Sequence, residues 1–375
     1  MSAADPGAMP ADYAQALAAT GSAVLAGMNG IEWVQRRLHP PDFAALRATL
    51  WPLRERLEQG LGMFHRVPVP KGLEPFHEQL AAGAEELLAA QRLFLDPAPP
   101  EQAVAWILDS VRRHCRAQEA LYPLRCVLMP LGRYFLEPAF HERLAGFDPD
   151  APTSFGAGGG LHRAGPTDAP DARGGFSLYV PEWLAGTAPR PLVVALHGGS
   201  GHGRDFLWSW LREARGRGFM LLAPTSIGST WSLATPPLDG LRLRSMVSWV
   251  CERWPVDRTR ILLTGLSDGA TFALLAGLAE DAPYTALAPV SGVLHPLNGP
   301  LGNLERARGR RIHQVHGALD WLFPVALARH GRDALAQAGA DLAYLELEDL
   351  SHSYPREAND TILSWFDPSL ALPQG

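Results

Sequence analysis

The segment Gly265-Leu266-Ser267-Asp268-Gly269 constrains this chain more than any other. It follows the apolar run Ile261-Leu262-Leu263-Thr264 and leads into Ala270-Thr271-Phe272-Ala273-Leu274-Leu275, which suits a helix. A buried strand that passes so abruptly into a helix needs a very sharp turn. Only glycine leaves room beside the turning residue, and the serine hydroxyl is left standing clear above the strand ends.

Other segments continue the alternation of strand and helix. Pro191 to Leu196 is an apolar run that empties into His197-Gly198-Gly199-Ser200-Gly201-His202-Gly203. Such a run bounded by glycines reads as a buried strand ending in a close-fitting loop. Arg311 to Gly317 is strand-like and runs into Ala318-Leu319-Asp320-Trp321-Leu322-Phe323-Pro324. Leu342 to Leu347 leads to Asp349-Leu350-Ser351-His352. Strands are expected near 176–180, 192–196, 219–223, 260–264, 285–290, 311–315 and 342–347. Helical runs between them imply an α/β fold, a mostly parallel sheet with helices on both faces.

The first part reads differently. Val104, Ile107, Leu108 and Val111 recur at helical spacing, and Glu78 to Phe94 is rich in Ala, Leu and Glu. A helical N-terminal domain is expected over 1–147, with no role assigned to it. A Pro/Gly-rich linker follows over 148–175, and the α/β domain over 176–375.

From about residue 174 to 367 the chain resembles the phospholipase/carboxylesterase and polyhydroxyalkanoate-depolymerase-like esterases of the α/β-hydrolase superfamily. The resemblance rests on Gly175 to Pro181, Leu196-His197-Gly198-Gly199, Val256 to Ile261, Gly265 to Gly269, His316-Gly317-Ala318-Leu319-Asp320, and His352. It differs at Asp268, where many relatives carry Gln or His, and at Ser351, where Gly is frequent. The resemblance implies an α/β-hydrolase fold with Ser267, Asp320 and His352 in the Ser…Asp…His order. Ser267 is then the nucleophile, activated by His352 as base. Asp320 fixes the histidine tautomer. The amides of Gly199 and Asp268 are the expected oxyanion hole, which needs two donors aimed at the developing charge. Trp231, on a loop after another strand, is expected to wall the acyl pocket, or else to pack in the core. No cofactor and no metal are expected: no metal-ligand spacing is present.

Each role has a plainer competitor. Ser267 competes as a small turn residue. Asp320 competes as a helix cap, with Asp349 as the reserve acid. His352 competes with His295, His313 and His316, of which the last two sit in an expected strand and read as core histidines. His197 reads as an anchor of its loop. The Arg212, Arg215, Arg217 cluster reads as a solvated helix face.

Composition narrows the class. Of 375 residues, 47% are hydrophobic and 19% charged, which describes a globular protein. A net charge of −6 argues against nucleic acid or an anionic membrane as the main partner. The odd number of cysteines, three, points to thiols in a cytoplasmic compartment, and no signal peptide or transmembrane segment is expected. The expectation is a serine esterase acting on a small-molecule or lipid-like ester. A thioesterase or peptidase using the same triad stays open, as does a catalytically silent scaffold.

Overall fold

The computed structural model describes residues 9–96, 99–147, 158–169, 171–183 and 188–373. The chain separates into two compact units, Met1–Phe135 and Leu136–Gly375. Unit one is helical: α1 (Ala11–Arg36), α2 (Phe43–Phe64), α3 (Glu74–Leu95), α4 (Ala103–Leu121) and α5 (Met129–Tyr134). Buried residues at Tyr13, Ala16, Thr20, Ala23, Met28 and Ile31 trace one stripe of α1, the face an amphipathic helix buries. Thr20 closes the contact with α2 by donating its hydroxyl to the Gly60 carbonyl at 2.9 Å.

The second unit begins earlier than residue 147. Leu136, Phe140 and Phe147 cluster with Trp183 of that unit, and this apolar contact moves the boundary. Part of the expected linker, 148–157 and 170, lies outside the described residues. Its described part contains strand β1 (Gly160–Ala164), paired antiparallel with β2 (Phe176–Val180).

The other strands are β3 (Arg190–Leu196), β4 (Met220–Pro224), β5 (Val256–Leu266), β6 (Ala286–Val290), β7 (Arg311–Gly317) and β8 (Asp341–Leu347). Their order in the single sheet is β1-β2-β4-β3-β5-β6-β7-β8, parallel from β4 onward. The seven expected strands are all present. The order reverses between β4 and β5 around β3, the kind of switch point at whose carboxyl ends ligands bind in open α/β sheets.

The helices of this unit are α6 (Gly203–Phe206), α7 (Leu211–Arg217), α8 (Pro237–Arg253), α9 (Asp268–Gly277), α10 (Asn303–Arg306), α11 (Val325–Gln337) and α12 (Ala358–Phe366). On one face Val247 of α8, Phe272 of α9 and Leu335 of α11 join Val194, Leu263 and Leu287 of the sheet in one core. Helices α7 and α12 are joined by their own contacts, among them Asn359 Nδ2 to the Ser209 carbonyl at 2.9 Å, just before α7.

The arginine cluster of α7 departs from its expected solvated role. Arg215 is 2% exposed, and so is the Arg217 side chain. Arg217 donates from Nε to Glu137 at 3.0 Å, and from Nη1 to Asp360 at 2.9 Å and the Leu370 carbonyl at 2.8 Å. The guanidinium fork offers enough donors to serve all three acceptors, so the charge is buried with its hydrogen bonds made. Truncating it would strand Glu137. Arg217→Ala should therefore lower the unfolding free energy by about 3–5 kcal/mol in urea denaturation. A loss of less than about 1 kcal/mol, the range of a solvated pair, would contradict this description.

Candidate active site

Strand register brings the loops of interest to one rim. Leu196 of β3 aligns with Gly265 of β5, Leu266 with Val290 of β6, and Gly317 of β7 with Leu347 of β8. The loops that follow these residues therefore emerge side by side at the carboxyl end of the sheet.

Ser267 sits between β5 and α9 at φ 56°, ψ −120°. Such a conformation costs a non-glycine residue about 1–3 kcal/mol and persists only when its surroundings impose it. The Ser267 amide donates to the Val290 carbonyl at 3.0 Å, and its carbonyl accepts from the Thr271 amide at 2.9 Å. A Cβ on Gly269 would lie 2.4 Å from the His197 carbonyl oxygen, so only glycine permits the helix to start here.

The loops carrying acid and base are stitched together. The Ala318 amide donates to the Leu347 carbonyl and the Leu319 amide to the Leu350 carbonyl, both at 2.9 Å. Asp320 is 5% exposed, and its Oδ1 accepts from the amides of Leu322 at 3.0 Å and Phe323 at 2.7 Å. Its Oδ2 lies 2.8 Å from His352 Nδ1, and His352 Nε2 lies 2.9 Å from Ser267 Oγ. With Nδ1–H donating to the carboxylate, Nε2 presents its lone pair to the serine hydroxyl and can draw off its proton. The Phe323 ring stands edge-on to His352, with centroids 5.3 Å apart. Asp349, the reserve acid, is exposed; the carboxylate on His352 is that of Asp320.

The competing histidines make other contacts, and of the three only His316 comes near the acid, with Nε2 3.4 Å from Asp320 Oδ2. The His295 side chain accepts from the Leu297 amide and caps a short turn. His313 is buried against the Trp365 ring. His316 is fully buried, with Nε2 2.8 Å from the Phe323 carbonyl oxygen.

Gly198 lies against Ser267, and Gly199 against Asp268. A Cβ on Gly198 would be 3.4 Å from Ser267 Cβ, and one on Gly199 would be 2.7 Å from Asp268 Oδ2. The amides of Gly199 and Asp268 have no hydrogen-bond acceptor among the described residues, so both are available to an incoming oxygen. The Asp268 carboxylate accepts from the Thr230 hydroxyl at 2.6 Å and so reaches across Gly199 to the 225–231 loop. Thr230 carried no recognisable signal in the sequence.

Several bonds fix that loop. His197 Nδ1 donates to the Gly198 carbonyl at 2.7 Å, and Nε2 accepts from the Ser226 amide at 3.1 Å. Ser200 donates its amide to the Ser229 carbonyl at 2.8 Å, and Arg173 reaches the Gly201 carbonyl at 3.1 Å. Of the two expectations for Trp231, pocket wall or packing residue, its surroundings are those of a packing residue. It is 2% exposed, donates Nε1 to the His197 carbonyl at 2.7 Å, and stacks on Phe272. Its indole N–H has a buried partner and its faces are covered, so it supports the loop from below.

Burial pushes the His197 pKa down to about 3, against the pull of its bond to Gly198 and helped by the nearby Arg173 and His202. Between pH 6.5, the ordinary histidine value, and about 3, the unfolded chain binds this proton and the folded chain does not. Stability from this group is thus full above pH 6.5 and falls as the pH drops toward 3. His197→Gln, which cannot be charged, should flatten that acid loss in thermal melts run across this range. An unchanged slope would contradict it. Gly199→Ala should displace Asp268 and cut ester turnover by about 10²-fold, as a misplacement of about 1 Å does; unaltered turnover would show that the loop does not need this close approach.

Among known proteins, residues 245–367 match the phospholipase/carboxylesterase family model. No curated protein is significantly similar to the chain. Solved structures similar to it include a thermostable esterase, 24% identical, covering 46% of this chain and 50% of that one, with a TM-score of 0.40. An esterase from the Planctomycetes species Thermogutta terrifontis is 18% identical, covering 58% and 95%, at 0.45. The Staphylococcus aureus fluorophosphonate-binding serine hydrolase F is 14% identical, covering 56% and 98%, at 0.46. The chain thus spans half the length of the thermostable esterase. The eight-stranded, mostly parallel sheet with its sharp strand-to-helix serine turn is an α/β-hydrolase fold, and the segment from α8 to α12 carries the phospholipase/carboxylesterase match.

Proposed function

We propose that the Leu136–Gly375 unit is a serine esterase that cleaves a carboxylic ester through an acyl-Ser267 intermediate. The observation that carries this reading is the continuous relay from Ser267 Oγ through His352 to Asp320, with donor–acceptor distances of 2.9 and 2.8 Å. As Ser267 Oγ attacks the ester carbonyl carbon, its proton passes to His352 Nε2. The imidazolium is stabilised by the buried Asp320 carboxylate, whose Oδ1 is already held by two backbone amides. Charge developing on the carbonyl oxygen is received by the amides of Gly199 and Asp268. Collapse expels the alcohol, which leaves with the proton from His352. Water then repeats the sequence on the acyl-enzyme and returns free Ser267.

The substrate is read as a small-molecule or lipid-like ester. Among the described residues no helix is long and apolar enough to cross a membrane. The three cysteines are thiols, which fits the cytoplasm as a reducing compartment.

Ser267→Ala and His352→Ala should each reduce turnover of p-nitrophenyl esters by about a million-fold. Asp320→Asn should cost about 10⁴-fold, through the wrong tautomer of His352. Steady-state rates for the three variants test the reading. A Ser267→Ala enzyme retaining a tenth of the activity would overturn it. A crippling Asp349→Asn beside a silent Asp320→Asn would move the acid.

A further inference from the structure

Asp320 is flanked by two histidines, and the proposed reaction uses only one. His316, the last residue but one of β7, is fully buried. Its Nε2 lies 2.8 Å from the Phe323 carbonyl oxygen and 3.4 Å from Asp320 Oδ2. The carbonyl can only accept, so Nε2 carries the proton. Nδ1 is buried without a hydrogen-bond partner among the described residues. A charged ring would point a second N–H at nothing, so the ring is neutral.

Phe323 is the hub of this arrangement. Its amide donates to Asp320 Oδ1 at 2.7 Å, its ring meets His352 edge-on, and its carbonyl is held by His316. One peptide segment therefore touches both the acid and the base, and His316 is the side chain that pins it. The charged and titratable groups around His316 are Asp320, His352 and Glu346. Glu346 is engaged by Arg329 at 2.9 Å and by the Tyr344 hydroxyl at 2.9 Å.

We infer that His316 is a positioning residue for the triad, a neutral Nε2–H donor that locks Phe323 and through it sets Asp320 against His352. This rests on the reading of Ser267, Asp320 and His352 as catalytic. Neutrality is part of the function. A second cation beside Asp320 would compete with the His352 imidazolium for the same carboxylate, and burial keeps His316 from charging, lowering its pKa despite the carboxylate beside it.

The test has two arms on the full-length protein. In the first, His316→Leu removes the donor and His316→Gln retains an N–H. With rates expressed per fluorophosphonate-titrated site, His316→Leu should lower kcat by about 10- to 100-fold, the scale of a misplaced catalytic group. KM should stay within roughly twofold, because ground-state binding is untouched. His316→Gln should recover most of the loss. A folded His316→Leu enzyme with wild-type kcat per site would overturn the inference, as would a Gln variant no better than Leu. The second arm needs no variant at position 316. Nitrogen-15 NMR of the histidine rings in the Ser267→Ala protein should show His316 as the Nε2–H tautomer, staying neutral to lower pH than an ordinary histidine because burial disfavours its charge. An Nδ1–H tautomer, or titration near the ordinary value, would overturn it even if His316→Leu failed to fold. Residual turnover by Ser267→Ala would instead sink the triad reading while leaving the tautomer result standing.

Discussion

The close approach of α9 to the end of β3 is the constraint on which the rest of the site depends. At Gly269 the helix backbone lies so near the His197 carbonyl that any side chain would overlap it. That approach drives the chain through Ser267 at positive φ, a conformation serine does not choose alone. It also sets Gly198 against the serine side chain. The strain is local, and the apolar core of Val194, Leu263, Phe272 and Leu287 beneath it holds the turn in place. Burial of such side chains contributes about 1.5–3 kcal/mol each, comparable to or larger than the strain it must offset.

Parallel register does the remaining placement. Because β5, β6, β7 and β8 end in step, a serine, an acid and a base separated by 53 and 32 positions (267 to 320, 320 to 352) emerge on neighbouring loops. The loops are then fixed by backbone bonds and not by the ionic contact itself. Asp320 is held at Oδ1 by two amides before it ever meets His352, so its second oxygen is aimed by the turn. The same economy governs the loop after β3, where the neutral His197 ring bridges Gly198 and Ser226. Neutral buried imidazoles serve as fixed cross-braces because each can donate at one nitrogen and accept at the other.

Much of this was legible in the sequence, for identifiable reasons. Buried parallel strands are short continuous apolar runs, so β3, β4 and β6 announce themselves, and glycines beside Ser267 mark the turn. Strand β1 was not legible. Its residues Gly160-Leu161-His162-Arg163-Ala164 are only half buried on a sheet edge, where backbone pairing with β2 defines the strand more than apolar content does. Arg217 was misread because α7 shows basic residues at surface-like spacing, while its partners Glu137 and Asp360 are 80 and 143 positions away. Trp231 stayed open between pocket wall and packing residue because loop position says nothing of which side of the loop a ring lies on. Thr230 depends on a contact between loops, and the bracing of Phe323 by His316 on how the segment after β7 folds back on that strand; no periodicity encodes either.

The central claim is that Ser267 is a nucleophile activated by its own relay, and covalent labelling tests it most directly. Intact-mass and peptide mass spectrometry after reaction with an aryl fluorophosphonate should show one adduct per chain, located on Ser267 and lost when His352 is replaced by Ala. An adduct on another residue, or no adduct on a folded protein, would contradict the account.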